Sequence, residues 1–307
     1  MKIYQLLLLM AALALALSAC GFLPSTSQGS PPTTAPTATT GTEITEATED
    51  PLIPPTTERR TGWYIEGENC YYYDDNGIML TGWLELDGTR YYFKDDGTMA
   101  RGKINIDGVD TYFTSAGAYI LLVNPWNFVP EGYTPDLVPL STSIATENQK
   151  VDRSCYDALI KMIQDCNKEC PSVCVVSSYR TQEYQDGLFQ RKVNFYLNQG
   201  YVREEAEKLA ATVVAVPGTS EHQLGLAVDI IDTRSWSLDE GQADLPAQQW
   251  LMENCWKYGF ILRYPKGTTE ATGIIYEPWH YRYVGLTVAE ELNESGLTLE
   301  EYLNSLN

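Results

Sequence analysis

Apolar and polar positions divide this chain into four kinds of segment. An unbroken apolar run, Leu6 to Leu17, follows Lys2. It is too short to span a bilayer comfortably and has the length of a secretory signal core. Residues 21–60 show no apolar periodicity; Thr, Pro, Ser, Ala and Gly dominate, with Glu43, Glu46, Glu49 and Asp50 between them. Such a segment cannot bury enough surface to offset its ordering entropy, so a linker is expected. As a random coil of about 40 residues it would span roughly 35 Å. Residues 61–120 repeat with a period of 20: Gly62, Gly82 and Gly102 align, as do Tyr72, Tyr92 and Tyr112, then Gly77, Gly97 and Gly117. Short aromatic strands alternate with Asp-Gly or Asn-Gly turns, the pattern of β-hairpins. A hairpin that short has no core of its own, so successive units must stack.

From 121 to 307 the pattern is that of one mixed globular domain. Val151 to Cys166 reads as an amphipathic helix with Cys155, Leu159, Met162, Ile163 and Cys166 on one face. Helices are also expected over Thr181 to Leu197 and Arg203 to Thr212. Strands are expected over Ser172 to Ser178, Leu226 to Ile231, Phe260 to Tyr264 and His280 to Val284. Thr287 with Glu290, and Thr298 with Glu301, have capping-box spacing ahead of two short helices. Helices and strands mix without a βαβ rhythm, which makes the domain α+β.

Charge removes one class of partner. With 41 acids against 21 bases the formal charge is −20, and no basic face offers itself to a nucleic acid. Of the 7 cysteines, Cys20 closes the segment Leu17-Ser18-Ala19-Cys20, directly after the apolar run. The other six lie in a chain whose leader directs it to an oxidising compartment, so disulfides or buried thiols are both open. Cys166, Cys170 and Cys174 recur every fourth position, but no histidine stands near to complete a metal set.

The chain has 2 histidines, His222 and His280, in unusual company. The first stands in Ser220-Glu221-His222-Gln223-Leu224-Gly225-Leu226-Ala227-Val228-Asp229, the second in Glu277-Pro278-Trp279-His280. Two imidazoles and a carboxylate suit a catalytic zinc with one position left for water. Asp229 falls in an apolar strand, where a carboxylate is costly unless paired or metal-bound. Glu277 could act on the bound water.

Three resemblances follow from these residues. Leu17-Ser18-Ala19-Cys20 resembles a bacterial lipobox, which implies cleavage before Cys20 and a diacylglycerol on its thiol. That would be a two-chain anchor to the outer face of the cytoplasmic membrane. The repeats resemble choline-binding-type cell-wall-binding repeats, in which aromatic rings cage a cation. Trp63, Tyr72, Trp83 and Tyr92 match cage positions, whereas the third unit has Lys103 and Thr111 where aromatics belong. A choline-bearing wall polymer is the implied partner, against the alternative that the rings only join the hairpins. Beyond Asn124-Pro125-Trp126 the chain resembles the VanY-type D-alanyl-D-alanine carboxypeptidases, zinc peptidases that share their fold with the hedgehog signalling domain. Ser220, His222, Gly225, Ala227 and Asp229 match S-x-H-x-x-G-x-A-x-D; Glu277, Trp279 and His280 match E-x-W-H; Ser177-Ser178-Tyr179-Arg180-Thr181 with Gln185 is a third match.

That resemblance implies a small antiparallel sheet with flanking helices, carried behind the hairpin module. It implies one zinc ion on His222, Asp229 and His280, with Glu277 as general base. Arg180 would pair with a substrate carboxylate, and Gln185 and Ser220 would hydrogen-bond the peptide. The domains expected are a signal peptide at 1–20, the linker at 21–60, the repeats at 61–120 and the peptidase at 121–307. The expected reaction is removal of a terminal D-alanine from peptidoglycan stem peptides at the cell wall. L,D-carboxypeptidase, D,D-dipeptidase or stem endopeptidase activity on the same site are alternatives, as is a wall-binding protein without catalysis.

Overall fold

The computed structural model describes residues 59–86 and 89–306. The expected signal peptide, Cys20 and nearly all of the linker lie outside the described residues.

Three hairpins come first: β1 (Gly62–Glu66) with β2 (Asn69–Tyr73), β3 (Gly82–Leu86) with β4 (Thr89–Phe93), and β5 (Gly102–Ile106) with β6 (Val109–Phe113). A strict 20-residue period gives one register three times: Trp63 faces Tyr72, Trp83 faces Tyr92 and Lys103 faces Tyr112. Stacking uses Phe93 and Phe113, both with no exposed surface. Phe93 lies 5.9 Å from Trp63 between ring centroids, and Phe113 lies 5.8 Å from Trp83. Met79 and Met99 press on Gly97 and Gly117 of the following units, leaving no room for a Cβ there. Short β7 (Tyr119–Ile120) adds to β6.

In the third unit Lys103 stands opposite Tyr112 and pairs with Asp110 at 2.7 Å. Tyr112, Ile120 and Leu122 share a core with Ile261, Val288, Leu292, Leu299, Tyr302 and Leu303 of the C-terminal region. Tyr112, the aromatic this unit keeps, is thus packed into a hydrophobic core.

The second region begins with paired β8 (Leu137–Pro139) and β9 (Lys150–Asp152), then α1 (Arg153–Glu169). Asp152 caps α1, its carboxylate accepting from Ser154 N, which satisfies an orphan donor of the first turn. The buried face of α1 is Cys155, Leu159, Met162, Ile163 and Cys166, as the periodicity predicts. It packs on β10 (Val173–Ser177). Then come α2 (Gln182–Asn198), α3 (Arg203–Ala211), β11 (Ala227–Asp232), α4 (Pro246–Asn254), β12 (Phe260–Leu262), α5 (Thr269–Thr272), β13 (His280–Tyr283), α6 (Leu286–Ser295) and α7 (Leu299–Ser305). The four-stranded sheet runs β10-β11-β13-β12, antiparallel throughout. The α+β class and small antiparallel sheet therefore hold.

Leu159, Met162, Val175, Val228, Ile230, Leu251 and Tyr281 form the core joining α1, the sheet and α4. Truncating a residue such as Leu159 to alanine would cost about 2–5 kcal/mol. Cys70, Cys155, Cys166 and Cys255 are buried free thiols, and Cys170 and Cys174 half-buried ones. Of the two roles open to the cysteines, that of buried thiol is the one seen among the described residues. The Thr298–Glu301 capping box is present. The one expected at Thr287 is not: α6 starts at Leu286 behind Gly285, so Thr287 already lies inside the first turn.

Candidate metal centre and substrate cavity

One row across the sheet builds the site. Ser177 on β10 faces Asp229 on β11, and Asp229 faces His280 on β13. All six residues of β11 are buried, so the Asp229 carboxylate is held in the interior. His222 enters from a one-turn 3-10 helix, Glu221–Leu224, which ends at Gly225 with φ +74°. A Cβ at Gly225 would lie 3.0 Å from the backbone nitrogen of Asp152. Glycine is needed there for both the left-handed turn and the close approach.

The three side chains converge. His280 Nδ1 lies 3.1 Å from Asp229 Oδ1, and His222 Nε2 lies 3.3 Å from Asp229 Oδ2. His222 donates its Nδ1–H to the carbonyl of Ser178 at 2.8 Å. That leaves the Nε2 lone pair turned to the site. The two imidazoles meet edge to face with centroids 4.9 Å apart. One ligand atom from each of His222, Asp229 and His280 can be chosen within 4.8 Å of one another, all three residues buried. Two nitrogens and one carboxylate oxygen, so placed, fit a zinc ion.

Electrostatics follow from burial and crowding. Burial, and then the Arg180 charge, lower the His222 pKa to about 4 despite Asp229. Burial would also depress His280, but the Asp229 carboxylate, with Glu221 and Glu277 close by, outweighs it and raises the pKa to about 9. Burial opposes ionisation of Asp229, yet His222 and Arg180 hold it well below the usual carboxylate range. Glu277, in the turn before β13, has its Oε2 3.7 Å from His280 Nδ1. Burial, aided by Asp229, lifts its pKa to about 8, a value suited to proton transfer near neutrality.

Arg180 and Gln185 are more internally engaged than the sequence implies. Arg180 donates from Nη2 to Asp229 Oδ2 at 2.6 Å and to Ser177 Oγ at 2.8 Å, with Nε also donating to Ser177 Oγ. Gln185 has no exposed surface. Its Nε2 donates to the carbonyl of Ala215 at 2.7 Å, and its Oε1 accepts from Arg180 Nη1 at 3.5 Å. Gln185 therefore steadies Arg180 and lies outside the cavity wall, where a peptide contact was expected. Ser220 and Arg180 do line the cavity.

This cavity has a volume of about 420 Å³. His222, Asp229, Glu277 and His280 form a polar, ionisable wall, and Val213, Val214, Ile274 and Ile275 an apolar one. Lys192 and the pair Asp239 and Glu240 also line it; sequence reasoning missed these because they fall outside every motif. Glu221, Arg263 and Arg282 form a buried ion cluster behind His280 that was likewise missed. Its only sequence signal was arginine within apolar strand-like runs.

In the repeats, Trp63 meets Tyr72 and Tyr91 with centroids 5.3 and 5.0 Å apart. Trp83 meets Tyr92 and Tyr119, each at 5.2 Å. The Arg90 guanidinium already lies 4.4 Å over Trp83 and 5.4 Å from the Tyr119 ring.

Comparison with known proteins agrees with this geometry. The VanY D-alanyl-D-alanine carboxypeptidase family matches residues 148–286, and the choline-binding repeat matches residues 60–103. A D-alanyl-D-alanine carboxypeptidase of Enterococcus faecalis is 41% identical over 186 residues, covering 61% of this chain and 66% of that protein. The chain thus spans just under two thirds of that relative's length. The structure of VanYB in complex with D-alanine-D-alanine aligns at 41% identity and a TM-score of 0.55, over 61% of this chain and 98% of that one. A VanY D,D-pentapeptidase mutant in complex with Zn(II) aligns at 41% identity and a TM-score of 0.53, over 60% and 97%. The LD-carboxypeptidase LdcB aligns at 34% identity and a TM-score of 0.55, over 67% and 95%. This chain belongs to the VanY family of zinc-dependent D-alanyl-D-alanine carboxypeptidases.

Proposed function

We propose that the chain removes the terminal D-alanine of peptidoglycan stem peptides, with His222, Asp229 and His280 holding zinc and Glu277 as general base. The observation that carries this is the buried two-histidine, one-carboxylate set with Glu277 beside it on a cavity wall. Zinc bound there supplies a Lewis acid and lowers the pKa of its water toward neutrality. Glu277 takes the proton of the attacking water and delivers it to the leaving amine. Arg180, its fork fixed by Ser177, Asp229 and Gln185, keeps Asp229 ionised and presents positive charge where the peptide's carboxylate or developing oxyanion lies. Ser220 offers a hydroxyl on the same wall. The apolar wall excludes water and accepts the alanine methyls.

A D,D cut is favoured by the higher identity to the VanY structures; the likeness to LdcB keeps an L,D cut as the competing outcome. The test is incubation of the ectodomain with pentapeptide and tetrapeptide stems. Loss of one alanine from the pentapeptide alone supports the D,D reading. Loss from the tetrapeptide alone transfers it to L,D.

Within the same proposal the repeats attach the enzyme to a wall polymer. The rings of Trp63, Tyr72 and Tyr91 offer faces to a cationic group such as choline. At Trp83 and Tyr119 the chain's own Arg90 takes that role, so the second cage is closed in cis. A lipid on Cys20 and the linker would tether the whole at the outer membrane face, raising the effective substrate concentration. Support for the anchor is the Leu17-Ser18-Ala19-Cys20 sequence itself. Among the described residues no helix is long and apolar enough to cross a membrane.

A further inference from the structure

Glu221 immediately precedes His222, and its carboxylate is fully buried. Oε1 accepts from Arg263 Nε at 2.8 Å and from Arg282 Nη1 at 2.9 Å. Arg263 continues to Glu300 on α7, which also accepts from Asn124 Nδ2 at 3.0 Å. Arg282 continues to the carbonyl of Leu121 at 2.8 Å. Two guanidiniums and two carboxylates thus balance with no help from a histidine.

One oxygen of this cluster is unused. Glu221 Oε2 has no hydrogen-bond partner, and neither has His280 Nε2; both atoms are buried. They lie 3.6 Å apart. Leaving either unpaired in the interior is costly, and a small rotation brings the pair to hydrogen-bond length. His280 meanwhile turns Nδ1 toward Asp229.

We propose that Glu221 is the positioning residue for His280. It accepts the Nε2–H of the neutral ring, which places the lone pair on Nδ1, facing Asp229 and His222. A neutral imidazole carries one proton, so the partner of one nitrogen decides which atom is left for the metal. His222 solves the same problem with the Ser178 carbonyl and the opposite nitrogen. Arg263 and Arg282 keep the buried Glu221 ionised and immobile, since a lone carboxylate there would be strongly disfavoured. All parts come from elements that already build the site: Arg282 lies on β13 two residues after His280, and Arg263 directly follows β12. A purely structural ion cluster has no need of the free oxygen aimed at a ligand ring.

The inference rests on the zinc reading above, and the test separates the two. Zinc affinity of the full chain is measured by competition with a chromophoric chelator for wild type, Glu221→Gln and Glu300→Gln. Glutamine keeps the volume but faces His280 with either an amide donor or a weaker, neutral acceptor. Glu300→Gln disturbs the same cluster at its far end. The expected result is a loss of about 10- to 100-fold in Glu221→Gln, the range for partners of metal ligands, with Glu300→Gln within about twofold. Equal losses in both variants, or an unchanged affinity in Glu221→Gln, overturn the proposal while leaving the zinc reading intact. No zinc on wild type overturns that reading instead. Nitrogen-15 histidine spectra of the wild-type zinc form decide the matter even if a variant fails to fold. A proton on His280 Nε2 is expected, and one on Nδ1 overturns it.

Discussion

Asp229 and His280 are direct cross-strand partners, paired between β11 and β13 with Oδ1 and Nδ1 3.1 Å apart. The site therefore depends on sheet register as much as on residue identity. A slip of one residue along β13 would turn His280 to the opposite face and dissolve the constellation. Tyr281 and Val228, the next pair, face the core and resist such a slip.

Arg180 joins this row through Asp229 and Ser177. Arg180→Lys is expected to lower kcat/KM by about 10-fold or more, because an ammonium cannot reproduce the guanidinium's divided contacts. Arg180→Ala should also destabilise the metal-free protein by roughly 1–3 kcal/mol by removing a partner of a buried carboxylate. Steady-state kinetics and denaturant titration check both.

In the repeats, Arg90→Ala is expected to open the ring faces of Trp83 and Tyr119 that Arg90 covers. Titrating choline against tryptophan fluorescence should then show one more site than in wild type. An unchanged stoichiometry would mean that Arg90 does not close the second cage.

Asp232 gives a pH prediction away from the metal ligands. Burial opposes its ionisation, but hydrogen bonds from Arg234, the Ala247 amide and Ser172 outweigh this and lower its pKa to about 2. A depressed carboxylate contributes stability that is present above its unfolded pKa and is lost as pH falls toward 2. Asp232→Asn should therefore destabilise the protein at pH 6, with the difference from wild type shrinking between pH 4 and pH 2 in thermal melts.

Much of this was legible beforehand for definable reasons. The hairpin register follows from a 20-residue period that repeats the turn glycines and the tyrosines at 72, 92 and 112, and Gly97 and Gly117 are fixed by the methionines pressed on them. The convergence of His222, Asp229 and His280 was readable because both histidines stand in motifs whose glycine and aspartate have structural duties, as Gly225 shows. Glu221 was not, because it occupies a variable position of its motif and its meaning depends on Arg263 and Arg282, distant in sequence. A peptide contact for Gln185 is what the family resemblance implies, and spacing only puts it near Arg180. Spacing does not say which way its amide turns, and both ends are taken by Arg180 and Ala215. The Thr287 cap failed because Gly285 allows α6 to begin a residue earlier.

The central claim is tested most directly by the pentapeptide stem. Wild-type ectodomain, a chelated sample, the same sample with zinc restored, and Glu277→Gln are compared by mass spectrometry. The account predicts release of one alanine by wild type and by the restored sample. Chelated protein should be inactive, and Glu277→Gln slower by about 10²–10⁴-fold with zinc still bound. Stoichiometric zinc with no cleavage of any stem, or full activity in Glu277→Gln, would contradict it.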